Sequence, residues 1–324
     1  MMIFILGEEK DITTDIVCHW LNYYQSPFIR INKEETSLYE LLLLLDHTEQ
    51  DVFLKKRQGI NLQNVHKTWF RRGCFDFKIN NLQLDLEAKA ISWINQHLKN
   101  ENDTMVEFLY HILKQNKYIN DPLTYNSNKL ITLYEAQKMG LLIPSTFISR
   151  NSESIKGFLR MKKNCITKNI QDVIFLHFEN GDYASHATQK VRAEEVTENK
   201  YWYSLFQEEV KKKYELRVFF LNQKFYASAI FSQSNEASTV DYRNVSINSD
   251  LPNRVVPFKL PKEIRGKLAK LMKKIKLESG SIDMIVDHND DYYFLEVNPV
   301  GQFDFVSKTC NYYIEKEIAQ YLCK

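Results

Sequence analysis

The sequence predicts an α/β protein made of more than one packed unit. Three observations carry that prediction: a β-α-β opening, a polar break near residue 120, and a long series of strands and amphipathic helices beyond the break. The chain has 324 residues, enough for two or three separate cores. Residues 2–6 are an apolar run of the buried-strand type. Residues 11–24 place Ile12, Ile16, Val17, Trp20, Leu21 and Tyr24 on one helical stripe, and residues 28–31 return as a second strand. A further strand is expected at 67–71 and a long helix over about 84–113. The stretch 116–128 is polar, contains Pro122 and interrupts the periodicity, so a boundary falls there.

Beyond it, residues 129–139 read as a helix stopped by Gly140, and 141–148 as extended chain around Pro144. Ser152 can cap a short helix, followed by strands at 165–168 and 173–178 and an Asn180-Gly181 turn. Residues 205–210 are extended. Residues 214–221 and 224–231 form a hairpin about Asn222-Gln223, and 261–277 is the best amphipathic helix, with Ile264, Leu268, Leu271, Met272 and Ile275 on one face. The expected units are 1–120, 121–205 and 206–324.

Composition removes several classes. Lys and Arg (43) nearly balance Asp and Glu (41), so a counterion-driven nucleic-acid partner is not expected. The longest apolar run, 41–45, is too short to span a membrane, no secretory signal opens the chain, and a cytoplasmic protein is expected. Five scattered cysteines show neither C-x-x-C nor zinc spacing and read as free thiols. Only nine glycines occur, against a usual share of about 7%. No G-x-G-x-x-G or Walker-type loop is present, so any nucleotide must be held in another way.

The most informative stretch is 281–299, Ser-Ile-Asp-Met-Ile-Val-Asp-His-Asn-Asp-Asp-Tyr-Tyr-Phe-Leu-Glu-Val-Asn-Pro. A turn centred on Asn289-Asp290 makes antiparallel partners of Asp287 and Tyr292, Ile285 and Phe294, and Asp283 and Glu296. Opposed like charges destabilise a strand pair unless a cation lies between them. Asn298 emerges on the face of Glu296 and adds a neutral oxygen. Asp283, Glu296 and Asn298 form a hard-oxygen set suited to Mg²⁺, which completes its shell with water and phosphate oxygens. The competing reading is a solvated face, because a one-residue slip would put the two carboxylates on opposite sides.

The run Leu295-Glu296-Val297-Asn298-Pro299, after Gly280-Ser281-Ile282-Asp283, resembles the metal-binding end of the ATP-grasp ligases. Tyr214-Glu215-Leu216-Arg217-Val218-Phe219, after Phe206-Gln207-Glu208-Glu209-Val210, resembles their adenine hinge and the following strand. Asn128-Lys129 before a helix and Ile166-Thr167-Lys168 ending a strand resemble their two nucleotide lysines. Trp69-Phe70-Arg71-Arg72-Gly73, Asp241-Tyr242-Arg243-Asn244 and Asn298-Pro299-Val300-Gly301-Gln302-Phe303 with Cys310-Asn311-Tyr312-Tyr313 resemble a narrower group. These are the peptide maturases of grasp-with-spasm systems, relatives of the microviridin-type macrocyclases that make graspetides.

The resemblance implies an ATP-grasp fold, with an N-terminal α/β domain and two subdomains clamping ATP. It implies ATP and Mg²⁺ as cofactors and a precursor peptide, leader plus core, as partner; a homodimer is left open. In the implied reaction a peptide carboxylate attacks the γ-phosphate, giving an acyl phosphate and ADP, and a Ser or Thr hydroxyl or a Lys amine then displaces phosphate to close a ring. Addition of a separate amino acid and non-catalytic peptide binding are the alternatives. On the same resemblance Lys129 and Lys168 serve the phosphates, backbone of Gln207, Glu208, Glu209 and Val210 the adenine, and Glu215 the ribose. Arg217, expected opposite the small Ser228 with its guanidinium available to an anion, and Arg243 are assigned to the γ-phosphate or reacting carboxylate. Asn169 stands where relatives often carry proline, and no glycine-rich lid is present, so no lid residue is assigned. The region 173–187 is where leader contacts are expected, and the lysines at 211–213 read as a solvated face.

Overall fold

The computed structural model describes residues 2–47, 50–77, 86–124, 128–171, 175–178, 181–184, 188–197, 201–232 and 253–324. The chain divides into two compact units, Met1–Tyr125 with Tyr313–Lys324, and Asn126–Tyr312.

The first unit opens as the β-α-β pattern requires: β1 (Met2–Gly7), α1 (Ile12–Tyr23) and β2 (Phe28–Asn32). Asp11 caps α1 by accepting from the Thr13 amide at 3.1 Å. Three strands not anticipated from the sequence follow, β3 (Glu40–Leu45), β4 (Gln50–Lys55) and β5 (Gly59–Asn61), which make an antiparallel sheet in the order β3-β4-β5. The leucine run at 41–45 is thus an edge strand, and its Leu42 to Leu45 side chains are exposed. Among the described residues no helix is long and apolar enough to cross a membrane. Next come β6 (Val65–Phe70), α2 (Ala88–Leu113) and β7 (Lys117–Ile119), and the parallel sheet runs β2-β1-β6-β7. Phe4, Leu6, Ile31 and Phe70 from this sheet, Val52 and Leu54 from β4, and Leu109 and Leu113 from the end of α2 share one core. The C-terminal helix, Ile314–Cys323, packs on α1. Gln320 Nε2 donates to Tyr24 Oη at 3.1 Å and the Lys316 ammonium stands 5.2 Å from the Trp20 ring centre.

The arginines just after β6 differ in role. Arg71 is buried, its Nε donating to Asp11 Oδ2 at 2.9 Å, while Arg72 remains partly exposed. Burial pulls the Asp11 carboxyl upward, but the Arg71 charge and the Thr13 and Thr14 hydroxyls outweigh it and hold the group below the usual carboxylate range. A depressed folded value stabilises the fold above the unfolded value. Stability from this pair is therefore expected at neutral pH and is lost as pH falls through the depressed value. Arg71→Met leaves Asp11 buried without its ion partner and is expected to cost about 3–5 kcal/mol. Urea unfolding of wild type and variant from pH 7 to pH 3 checks both: the difference should shrink at the acid end.

In the second unit α3 (Lys129–Lys138) leads to β8 (Thr146–Ser149), α4 (Ser152–Lys162) and β9 (Cys165–Lys168). The strands β10 (Phe175–Phe178) and β11 (Gly181–Ala184) pair Phe178 with Gly181, so Gly181 already lies in the strand. Then come β12 (Thr188–Val191) and β13 (Ser204–Glu208), and a four-stranded antiparallel sheet forms in the order β12-β9-β13-β8.

A second antiparallel sheet is built from β14 (Lys212–Leu221), β15 (Lys224–Phe231), β16 (Arg254–Phe258), β17 (Ser279–Asp287) and β18 (Tyr292–Asn298), ordered β16-β15-β14-β17-β18. Leu221 pairs with Lys224 and both Asn222 and Gln223 adopt positive φ, so the expected two-residue turn forms. Leu216, Val218, Ala227, Ala229, Ile282, Met284, Phe294 and Val297 face one core with Leu268, Leu271 and Met272 of α5 (Lys262–Lys274). Period-two alternation leaves the opposite face of the same strands to Glu215, Arg217, Ser228, Ser281, Asp283 and Glu296. A short helix α6 (Asp304–Thr309) follows the sheet.

Candidate functional site

The polar face of the five-stranded sheet brings four side chains onto one rung. Ser228 of β15 pairs with Arg217 of β14, Arg217 with Asp283 of β17, and Asp283 with Glu296 of β18. The carboxylate pair expected from the sequence is therefore present, but the register nearer the turn differs. Ile285 pairs with Tyr293 and Val286 with Tyr292, rather than Ile285 with Phe294 and Asp287 with Tyr292. The turn is longer than two residues. Asp287 accepts from the amides of Asn289 and Asp291, both at 2.9 Å, and Asp290 adopts a left-handed φ of 64°. The register then shifts between Asp283 and Met284, with Leu295 as the extra residue. In a regular strand Glu296 would share the core face with Phe294. The bulge returns it to the side of Asp283, while Val297 goes back into the core.

Arg217 does not stand with an uncommitted guanidinium, as its small partner Ser228 implied. Its Nη1 lies 2.7 Å from both Asp283 oxygens, both residues are buried, and Nη2 donates to the Gln302 carbonyl at 3.1 Å. The Asn298-Pro299-Val300-Gly301-Gln302 segment folds back over it. Asn298 Oδ1 accepts from the Val300 amide at 3.1 Å, and Ser281 Oγ donates to the same Gln302 carbonyl. A Cβ on Gly301 would lie 2.6 Å from Ser281 Cβ and 3.1 Å from Arg217 Nη2, so this close approach requires glycine.

Lys129, the first residue of α3 behind the Asn128 cap, donates to the Gln171 carbonyl at 2.7 Å and reaches within 3.9 Å of Glu296 Oε2. Each carboxylate of the pair thus has a cation: Asp283 has Arg217, and Glu296 has Lys129. Among the described residues no three His, Cys, Asp or Glu side chains converge to hold a metal by themselves. Two carboxylates and the exposed Asn298 amide suit Mg²⁺, which takes one or two protein carboxylates and otherwise water and phosphate oxygens. They do not suit zinc, which would look for His or Cys.

A second group lies where β13 passes into β14. Gln207 is buried and donates from Nε2 to Thr146 Oγ1 at 2.8 Å. Glu208 pairs with Lys162 at 2.9 Å, and that hydrogen bond holds its carboxyl below the usual range despite partial burial. Glu209 pairs with Lys190 at 2.8 Å. The Glu208 and Glu209 amides donate to the Ser145 and Asn164 carbonyls, so the joint between the two sheets is pinned, with Val210 immediately after it. Lys168 ends β9 beside β13, paired in register with Leu205, rather than on the carboxylate rung.

Lys212 corrects the reading of 211–213 as a solvated face. Lys213 is exposed, but Lys212 is buried and its ammonium bonds Glu215, which also accepts from Ser232 Oγ at 3.0 Å. A register shift between Lys212 and Tyr214 turns Lys212 onto the Glu215 face. Nothing in a run of three lysines announces which one is turned inward. Arg243 and the rest of the 241–244 motif lie outside the described residues.

No protein-family model and no curated protein matches the sequence. Solved structures do match along the whole chain. A Chryseobacterium gregarium RiPP-associated ATP-grasp ligase, in complex with ADP and a leader and core peptide, superposes with a TM-score of 0.84 at 26% identity, covering 99% of this chain and 96% of that one. Macrocyclase MdnC bound with precursor peptide MdnA, from Microcystis aeruginosa MRC, gives 0.80 at 23% identity, covering 100% and 99%. ATP-grasp ligase PsnB complexed with minimal precursor, Mg and ADP gives 0.72 at 16% identity, covering 99% and 97%. The last two likenesses bear on the fold alone. With β14, β17 and β18 carrying the expected arginine and carboxylate pair on one rung, the chain is an ATP-grasp ligase whose fold, along its whole length, is that of the RiPP-associated ATP-grasp ligases.

Proposed function

We propose that this ligase activates Asp or Glu side chains of a precursor peptide with ATP and joins them to Ser or Thr hydroxyls, or Lys amines, of the same peptide. The observation that carries the reading is the single rung of Arg217, Asp283 and Glu296, with Lys129 beside it. Carboxylate attack on a phosphate brings two anions together, and that crowding is the main barrier a protein can lower. Bound Mg²⁺ would offset the phosphate charge, held by Asp283, Glu296 and Asn298.

The protein's own groups do the rest. Arg217, fixed by Asp283 and the Gln302 carbonyl, presents a preorganised guanidinium to the γ-phosphate or the incoming carboxylate. Lys129 and Lys168 supply point charges to the phosphates. Carbonyls of Gln207 to Glu209 and the backbone of Val210 read the adenine edge, because the Glu208 and Glu209 amides are already engaged. Glu215, oriented by Lys212 and Ser232, meets the ribose hydroxyls. Arg243 is assigned with Arg217 to the reacting anions on the sequence alone. In the first step the peptide carboxylate oxygen bonds the γ-phosphorus as ADP leaves. In the second the hydroxyl or amine bonds the acyl carbon, phosphate leaves, and the nucleophile's proton passes to solvent or phosphate.

Incubation of the purified protein with MgATP and candidate precursor peptides from the open reading frames flanking its gene tests the reading by mass spectrometry. The expected product has lost one water per ring, with one ADP formed for each. A mass increase equal to a free amino acid residue would replace this reading with amino-acid addition, and unchanged peptide without ADP would leave a binding protein.

A further inference from the structure

The carboxyl edge of the parallel sheet in the first unit carries charges that the site above does not use. Each of three adjacent strands delivers one charged side chain immediately after its last residue: Lys33 after β2, Glu8 after β1, and, one residue further, Arg72 after β6. They converge. Lys33 Nζ lies 2.7 Å from Glu8 Oε2, and Arg72 Nη1 lies 2.8 Å from Glu8 Oε1, so two cations share one carboxylate. The backbone beneath is fixed, since Arg30 Nη2 donates to the Glu8 carbonyl at 2.7 Å and the amides of Arg71 and Gly73 both donate to the Leu6 carbonyl. A Cβ on Gly73 would stand 2.6 Å from the Gly7 carbonyl oxygen, so only glycine lets the ends of β1 and β6 close to this distance. The nearby Glu34 carboxylate is turned to the Glu9 amide, at 3.1 Å.

Stability does not account for this convergence. The three side chains are 40%, 22% and 24% exposed, and partly exposed pairs contribute only about 0–1 kcal/mol each. Arg71, one residue away, shows what a structural arginine looks like here, buried against Asp11. The location also favours a ligand. Chain order leaves β1 toward β2 on one side and toward β6 on the other, and open α/β sheets take ligands at the carboxyl ends of strands where the order reverses.

We infer that Lys33 and Arg72 form a carboxylate subsite for an acidic peptide side chain other than the one being activated, with Glu8 as an internal carboxylate that the ligand displaces or joins. The inference rests on the proposed acidic-peptide substrate and adds a second point of attachment. An arginine fork with a neighbouring ammonium matches a carboxylate, and both cations stay partly exposed beside Glu8, while Glu34, which also acts on Lys33, is held by the Glu9 amide. The Glu8 carboxyl is consistent with this field: burial raises it, but hydrogen bonds and charge from Lys33 and Arg72 outweigh that and hold it low.

The test is titration of the full-length protein with the synthetic peptide acetyl-Glu-Glu-Glu-amide, read by calorimetry and by the arginine Nε–H signals in nitrogen-15 spectra. Arg72→Gln and Lys33→Gln are each expected to weaken binding about fivefold, the worth of one partly screened charged contact. Arg72→Lys should recover part of the loss, and Glu8→Gln should tighten binding by a similar factor. Unchanged affinity in Arg72→Gln and Glu8→Gln, or no binding by folded wild type, would overturn the inference. MgATP binding is measured in the same samples. Its failure in wild type would count against the proposed function, whereas its retention with unaltered peptide affinity counts against the subsite alone.

Discussion

Asp283→Asn is expected to reduce peptide-dependent ADP release by about 10³-fold, the scale of removing one preorganised electrostatic contact from a catalytic site. The substitution removes a proposed metal oxygen and also the anion on which Arg217 rests, 2.7 Å away at both oxygens. A buried guanidinium left without its carboxylate costs about 3–5 kcal/mol, so the same variant should lower the urea midpoint. Glu296→Gln separates the two effects. Glu296 is more exposed than Asp283, and its cation, Lys129, is 3.9 Å away, so its loss should cost at most about 1 kcal/mol. Its activity should nevertheless fall on the same scale as that of Asp283→Asn, and nucleotide-dependent Mg²⁺ binding, followed by calorimetry, should weaken in both. An active Glu296→Gln enzyme with normal Mg²⁺ dependence would reduce Asp283 to a structural partner of Arg217 and remove the metal assignment.

Gly301→Ala is the second large effect, and it arises from a residue with no chemistry of its own. The added methyl would sit 2.6 Å from Ser281 Cβ and 2.9 Å from its Oγ, neither on a flexible chain end, and 3.1 Å from Arg217 Nη2. The loop must move outward, and with it the Gln302 carbonyl that anchors both Ser281 and Arg217. Such overpacking costs about 1–3 kcal/mol. Displacement of the guanidinium by about 1 Å should lower kcat about 10²-fold. KM for ATP should change little, because the hinge and the two lysines belong to other elements. Gly266→Ala provides the opposite sign. That glycine lies within α5, a Cβ there meets nothing within 4 Å, and the change should stabilise the protein by about 0.5–1 kcal/mol. Steady-state kinetics and urea unfolding of the two variants side by side check the contrast.

Much of the site can be read from local sequence because its strands obey a period of two. Leu216, Val218, Ile282 and Met284 alternate with Glu215, Arg217, Ser281 and Asp283, so a sheet with one apolar and one polar face follows from the order of residues. The hairpin about Asn222-Gln223 and the facing of Arg217 by Ser228 were legible for the same reason, since a two-residue turn fixes register from its own end. The carboxylate hairpin was legible only in part. Counting from its turn gives the correct partner for Asp283, yet the true turn is longer and a bulge at Leu295 restores the count, which no local rule specifies.

The sequence by itself determined an α/β chain, the carboxylate pair, and the likeness to ATP-grasp ligases. Only the tertiary structure decided that Arg217 is held by Asp283, that Lys212 turns inward to Glu215, that Gly301 is fixed by the approach of its loop to Ser281, and that the final helix returns to the first unit. The physical reason is sequence separation. Alternation and turn chemistry act over a few residues, whereas β14 meets β17 across 66 positions. Which distant strand lies alongside is chosen by burial of the whole core, not by any pattern within either strand.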